Sequence, residues 1–309
     1  MPASPIRLAL VVPTKDRPED LRKLLASVAA QTRAPDQLIV VDGSDPPVKS
    51  ICDDSRELQV DYLRVFPPSL AQQRNAGMRQ LRAEITHAGY LDDDIVLEPD
   101  AIEQMARFWE RAAGDVGGAG FNIVNRPRIA GMWLKRLFLI EDREPGRMLR
   151  SGCASSFVVH EGDLETDWLS GGATVWRREV IEHFAYDDWF AGTGLLEDVD
   201  YSFNVRGAWR LALASGARLA HYSRPIRPES QFLLGKWQVV NRMYLVRKYR
   251  DRGLSVPLAW WASAGLLAIH LGAALLRLDA QLWNRARGNL AGMVSELAGR
   301  RERAGGHLK

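Results

Sequence analysis

The sequence predicts an α/β fold built on a mainly parallel, doubly wound sheet, and three observations carry that expectation. Short apolar runs end abruptly in polar loops, segments with helical spacing separate them, and a strand–helix–strand unit is complete within residues 7–41. A right-handed crossover of that kind makes its two strands parallel.

Residues 7–12 form a continuous apolar run that stops at Pro13, the pattern of a strand buried on both faces. Residues 14–18 form a loop, and residues 19–31 have helical spacing through Leu21, Leu24, Leu25 and Val28. A second strand, 37–41, runs into Asp42-Gly43-Ser44-Asp45, and a third covers 60–65. A helix opens at residues 69–78, a fourth strand ends at Tyr90-Leu91, and Leu97-Glu98-Pro99-Asp100 starts another helix. Further on, Val175-Trp176 and residues 217–220 read as strands, and Glu197-Asp198 begins a helix after the Gly-containing loop 191–194. No GxGxxG follows the first strand, which weighs against a dinucleotide-binding domain.

The 309 residues are 46% hydrophobic and 26% charged, an ordinary globular composition with enough apolar material for a real core. Cys52 and Cys153 lie far apart with no CxxC spacing, which argues against a disulfide framework or structural zinc and fits a reducing compartment. The N-terminus enters a strand without a signal-peptide layout. The net charge of +3 hides an asymmetry: residues 236–309 hold 13 Lys/Arg against 4 Asp/Glu, leaving residues 1–235 with a net charge of −6. A basic tail on an acidic body suggests an anionic partner, and the apolar run inside the tail favours a membrane over nucleic acid.

The chemistry centres on Asp92-Asp93-Asp94. Three adjacent carboxylates at a strand end repel one another unless something positive sits with them, and a hard divalent cation takes oxygen ligands. The alternative is a solvated acidic turn that caps the following helix. Asp16, Asp42 and the triplet each fall just after a strand, so they converge on the carboxyl edge of the sheet, where open α/β sheets bind ligands.

The segments VVPTKDRPEDLRKLLASVAAQT, LIVVDGS, SLAQQRNAG and YLDDDIVLEPDAI resemble successive motifs of the bacterial family-2 glycosyltransferases, which have the nucleotide-diphospho-sugar (GT-A) fold. WLSGGATVWRREVI and LLEDVDYSFNV resemble that family's acceptor-side motifs in the same order, so the likeness covers about residues 6–223. The resemblance implies a nucleotide-diphospho-sugar donor bound by Pro13, Thr14, Asp16, Arg17, Asp42, Arg74, Asp92 and Asp93, with Arg74 near the diphosphate. It implies Asp94 as the direct ligand of Mg2+ or Mn2+, with Asp92 and His221 as further metal-side residues. Gly171 and Gly172 would let backbone approach the donor sugar. Asp198 would be the general base, with Trp168 and Glu197 on the acceptor side, and transfer would invert the anomeric centre. Residues 122–168 match no pattern in the family and are assigned to the acceptor pocket.

In the tail, residues 231–249 have apolar helical spacing interleaved with Lys236, Arg242, Arg247 and Lys248, the pattern of a basic helix lying on a membrane surface, the alternative being a helix packed on the core with a solvated basic face. Residues 253–276 contain no Asp, Glu, Lys or Arg, with Trp260-Trp261 near one end. That length suits a span, but the Ala-, Gly- and Ser-rich composition, His270 and basic residues on both flanks equally suit an in-plane or re-entrant helix. The resemblance makes a lipid-linked saccharide the implied acceptor. The expected layout is a GT-A domain over 1–230 and a membrane-associated helical tail over 231–309, at the cytoplasmic face of a bacterial inner membrane. Nucleic acid is not an expected partner, and the sequence leaves the oligomeric state open. Two other functions remain: a sugar-1-phosphate nucleotidyltransferase, against which Pro13-Thr14-Lys15-Asp16 stands where a Gly-rich basic loop is needed, and a GT-A-like scaffold without catalysis.

Overall fold

The computed structural model describes residues 5–126, 131–190 and 194–300. The expected loop 191–194 therefore falls mostly outside the described residues, as do the last nine residues of the basic tail.

The chain opens with β1 (Leu8–Thr14), α1 (Pro18–Ala29) and β2 (Gln37–Asp42). Pro18 starts α1, where its missing N–H costs nothing, and Leu21, Leu24, Leu25 and Val28 form the buried stripe. There follow α2 (Lys49–Asp54), β3 (Val60–Arg64), α3 (Leu70–Met78), β4 (His87–Leu91), β5 (Ile95–Leu97) and α4 (Ala101–Arg111). The middle of the chain gives β6 (Val116–Ile123), α5 (Met132–Leu137), β7 (Leu164–Thr166), β8 (Ala173–Arg177) and α6 (Arg178–His183). It ends with α7 (Glu197–Val205), β9 (Arg210–His221), α8 (Gln231–Lys248), α9 (Val256–Arg277) and α10 (Ala280–Leu297).

One sheet runs in the order β3-β2-β1-β4-β8-β6-β9-β5, with β7 paired to β9. The first four strands are parallel, as the βαβ pattern requires. Beyond β4 the sheet is mixed, because β8 enters antiparallel between β4 and β6 while β6 and β9 are parallel. Alternate residues of β1 serve two cores: Leu8, Leu10 and Val12 face α1 and α4, whereas Ala9 and Val11 pack with Tyr90, Trp176 and Tyr201. Both faces are covered, which is why the strands read as unbroken apolar runs.

The chain divides into two compact units. The first is Met1–Pro127, Val158–Asp188 and Tyr201–Ser223, and it holds the sheet. The second is Arg128–Phe157, Trp189–Asp200 and Arg224–Lys309. It differs from the continuous 231–309 tail expected above because two earlier segments pack onto its helices. Phe138 sits so close to Gly265 of α9 that a Cβ there would lie 2.2 Å from its ring, and the Arg150 carbonyl accepts from Ser255 N–H at 2.8 Å.

Of the two expectations for residues 231–249, the membrane-surface helix needs correcting in favour of the packed one. Helix α8 is largely buried, including Trp237, Val239, Val240, Met243, Leu245 and Val246 and even Arg242. Apolar residues occupy all sides of it, so it forms the centre of the second unit and not a surface helix with one apolar face. It packs on α10 at backbone distance: a Cβ on Gly235 would lie 2.1 Å from the Arg285 carbonyl oxygen, and one on Gly288 would lie 2.0 Å from that of Phe232. Only glycine allows that approach.

Candidate active site

The site of the first unit grows out of the carboxyl ends of β1, β2 and β4. Thr14 and Asp42, the last residues of β1 and β2, lie in register. Asp42 is fully buried, and its carboxylate accepts from Ser44 N–H at 2.7 Å, Val48 N–H at 2.8 Å and the Tyr62 hydroxyl at 2.6 Å. Burial pushes this carboxyl up, but those hydrogen bonds outweigh it and hold it below its ordinary value. Asp42 thus reaches the expected edge with its carboxylate turned into the 43–48 loop, which it holds in shape. Asp16 is exposed with φ 54°, a left-handed conformation that costs a non-glycine residue energy. Its N–H donates to Ser44 Oγ at 2.9 Å and its Oδ1 accepts from Asp45 N–H at 3.1 Å, latching the first two loops together.

Gln73 makes a contact that sequence reasoning missed. Buried on α3, it donates from Nε2 to the carbonyls of Thr14 (2.9 Å) and Val41 (2.8 Å), bridging the carboxyl ends of β1 and β2. Tyr62 and Ser44 were missed in the same way. Nothing in the local pattern marks such residues, since each acts on backbone or carboxylate far away in sequence.

The three aspartates differ in their partners, although Arg17 serves two of them. Asp93 is buried, with Oδ2 accepting from Thr14 Oγ1 at 2.9 Å and Oδ1 from Arg17 Nη1 at 2.9 Å. Burial, opposed by Arg17 and Thr14 but reinforced by its acidic neighbours, raises its pKa to about 6. The same Arg17 nitrogen donates to Asp94 Oδ2 at 3.0 Å. Burial lowers the Arg17 pKa, and the charges of Asp93 and Asp94 more than compensate, so it ends above its ordinary value. Asp92 accepts from Arg74 Nη2 at 3.1 Å. Arg74, expected at the diphosphate, is buried, with its guanidinium over the rings of Tyr90 (5.6 Å) and Tyr186 (5.2 Å) and turned toward Asp92. Pro13 is buried inside β1.

Strand β9 delivers the third side of the site. Ile95 pairs with His221, which carries the imidazole Nε2 to 2.8 Å from Asp94 Oδ1 and 4.0 Å from Asp92 Oδ2. The Asp94 carbonyl accepts from Tyr222 N–H at 2.8 Å. Asp92, Asp94 and His221 each offer a ligand atom within 4.8 Å of the others. Two carboxylates and an imidazole, partly open to solvent, make a donor set that suits a divalent cation keeping further positions for substrate oxygens. Gly171 and Gly172 are buried, and the Gly172 carbonyl accepts from Asp92 N–H at 2.9 Å. A cavity of about 270 Å³ bordered by Asp20, Lys23 and Tyr222 opens beside Asp94. Trp168, in the same unit, is half-buried, and its carbonyl accepts from Thr166 Oγ1 at 3.0 Å.

Glu197 and Asp198 belong to the second unit, at the start of α7. Glu197 is buried and Asp198 half-buried, with its Oδ1 accepting from Val199 N–H at 2.8 Å. The segment that carries them is held by α8. Trp189 stacks on Tyr244 at 4.2 Å, Asn241 Nδ2 donates to the Leu195 carbonyl at 2.9 Å, and Lys248 Nζ donates to the buried Asp200 Oδ2 at 2.8 Å.

The family model described as glycosyl transferase family 2 matches residues 9–182. The structure is similar to that of mannosyltransferase PcManGT from Pyrobaculum calidifontis in complex with GDP-Man and Mn2+, with a TM-score of 0.58 and 15% identity over 95% of this chain and 88% of that one. It is similar to S. aureus TarS in complex with UDP, with a TM-score of 0.51 and 14% identity over 95% and 92% of the two chains. It is also similar to GalNAc-T7 with UDP, GalNAc and Mn2+, with a TM-score of 0.52 and 15% identity over 71% of this chain and 44% of that one. A search of curated proteins finds no match. At such identities these likenesses speak for the fold.

Proposed function

The chain belongs to glycosyl transferase family 2, with the GT-A fold, and from that premise we propose an inverting, metal-dependent transfer of a sugar from a nucleoside-diphosphate donor to a hydroxyl of a lipid-linked saccharide, in surface or exopolysaccharide assembly. The observation that carries the reading is the cluster of Asp92, Asp94 and His221 at the carboxyl edge of the sheet. The carboxylates suit Mg2+ or Mn2+, and the imidazole, a softer donor, tilts the set toward Mn2+. When bound, such an ion neutralises the charge that develops on the departing nucleoside diphosphate.

The remaining steps fall to residues of the chain. Arg17 and Thr14 pin Asp93, so the backbone of the triplet is fixed before any ligand arrives. Arg74 and the Gly172 carbonyl orient Asp92 from below. The latched loops at Asp16 and Ser44 offer the nucleoside a rigid edge of hydrogen-bonding groups. Asp198 takes the proton from the acceptor hydroxyl as that oxygen attacks the anomeric carbon opposite the leaving diphosphate, which inverts its configuration. The membrane-borne acceptor is supported by α9, 22 residues with a mean hydropathy of 1.5 in its most apolar window, long and apolar enough to cross a bilayer by length and composition.

The test is release of nucleoside diphosphate from a panel of UDP-, GDP- and dTDP-sugars, with Mn2+, Mg2+ or chelator. Metal-dependent release from one donor class supports the reading. Release of pyrophosphate from a nucleoside triphosphate and a sugar 1-phosphate would replace it with nucleotidyl transfer.

A further inference from the structure

The second unit carries an apolar surface that the proposed chemistry does not use. On α9 the exposed residues Trp261, Ala268, Leu271 and Leu275 recur at intervals of seven, three and four, which places them in one stripe, and exposed Leu278 follows the end of the helix. On α10 Trp283, Leu290, Val294 and Leu297 recur at seven, four and three, with exposed Arg287 inside the stripe. The last turn of α9 and the residue after it are barest, with Leu276 88% and Leu278 92% exposed. At the opposite end of α9, exposed Trp133 and Leu137 of α5 extend the surface, and Trp261 Nε1 donates to the Leu137 carbonyl at 2.9 Å. An apolar surface that runs along three helices marks an interaction site.

We propose that this face docks in the plane of an anionic phospholipid surface and does not cross it, which deepens the membrane-borne acceptor proposed above. Charge identifies the occupant. Exposed Arg277 and Arg287 sit among the leucines, Arg250, Arg252 and Arg300 are also exposed on this unit, and residues 236–309 carry 13 basic against 4 acidic side chains. Anionic headgroups complement that charge, whereas a second copy of the same face would bring arginine against arginine. The three exposed tryptophans are the residue type that settles at the headgroup level.

The other face of α9 explains why the helix lies flat. Ser263 is fully buried, and His270 Nδ1 pairs with Asn289 Oδ1 at 2.7 Å, while Asn289 Nδ2 donates to the Gly235 carbonyl at 2.9 Å. The Ser263 hydroxyl donates to the Ala259 carbonyl of its own helix, but turning α9 through the bilayer would strip His270 of its Asn289 partner in hydrocarbon. Kept in place, its 22 residues lay roughly 33 Å of helix along the surface.

The experiment is flotation of the full chain with vesicles of phosphatidylcholine alone or mixed with phosphatidylglycerol, at low and high salt. Flotation with the mixed vesicles, weakened by salt, is expected. The triple variant Leu275→Gln/Leu276→Gln/Leu278→Gln should bind about tenfold or more weakly, with unchanged circular dichroism and donor hydrolysis. Arg277→Gln/Arg287→Gln should lose the preference for phosphatidylglycerol. Equal flotation of wild type and triple variant overturns the proposal. So does self-association in solution, without flotation, that the triple variant abolishes; resistance to carbonate extraction overturns the in-plane orientation. Vesicle binding without donor hydrolysis would instead refute the enzymatic reading and leave the docking face standing.

Discussion

Gly172 and Asp92 are in contact through both backbone and side chain: the Gly172 carbonyl accepts from Asp92 N–H at 2.9 Å, and a Cβ on Gly172 would lie 2.0 Å from Asp92 Oδ2. The absence of a side chain at 172 is what lets the Asp92 carboxylate lie where it faces Arg74 and His221. Gly172→Ala should therefore displace Asp92 and weaken Mn2+ binding about 10- to 100-fold, as changes beside a ligand do. Calorimetric titration with Mn2+ checks this, and circular dichroism should show the fold retained.

Gln73 serves two buried carbonyls with one amide. Gln73→Leu leaves the Thr14 and Val41 oxygens without that donor, so unfolding free energy should fall by about 2–4 kcal/mol. Urea denaturation measures it. Donor turnover should fall as well, because Thr14 precedes the loop that holds Asp93.

His87, buried on β4 with its ring 4.4 Å from that of Trp109, is held neutral. Burial, with help from the Arg177 charge, lowers its pKa to about 3 from the usual value of about 6.5. The folded state thus resists a proton that the unfolded chain accepts. Its contribution to stability is complete above about pH 6.5 and is lost as pH falls toward about 3, roughly 5 kcal/mol in all. His87→Gln should flatten the pH dependence of the urea midpoint across that window.

Lys248 pairs with the buried Asp200, two residues beyond the proposed base. Lys248→Met removes this bond to Asp200 and should loosen the start of α7. The transfer rate should fall at least about tenfold, while affinity for the nucleoside diphosphate and Mn2+ stays unchanged. Lys248→Arg should restore most of the rate. A matching loss of nucleotide affinity would show that the variant is merely unfolded.

Much of the first unit was legible because its signals are local. Apolar runs gave β1 to β4, and Leu21, Leu24, Leu25 and Val28 gave the buried face of α1. The placement of Asp16, Asp42 and the triplet after strands put them on one edge. The direction in which each side chain turns was not legible: Asp42 faces its own loop and Arg74 faces Asp92, because those orientations depend on Tyr62, Tyr90 and Tyr186 from elsewhere in the chain. Helix α8 misled for a related reason. Its basic residues read as an outer face, yet Arg242 is buried, and the glycines that seat α8 on α10 carry no periodic signal.

The central claim is that Asp92, Asp94 and His221 hold the cation that serves the donor diphosphate. It is tested most directly by Asp94→Asn, with Mn2+ binding measured by calorimetry and nucleoside diphosphate release measured on the same preparation. Loss of Mn2+ binding together with about a 100-fold or greater loss of release is expected. Wild-type release by the variant, or undiminished release by the native chain in excess chelator, would contradict it.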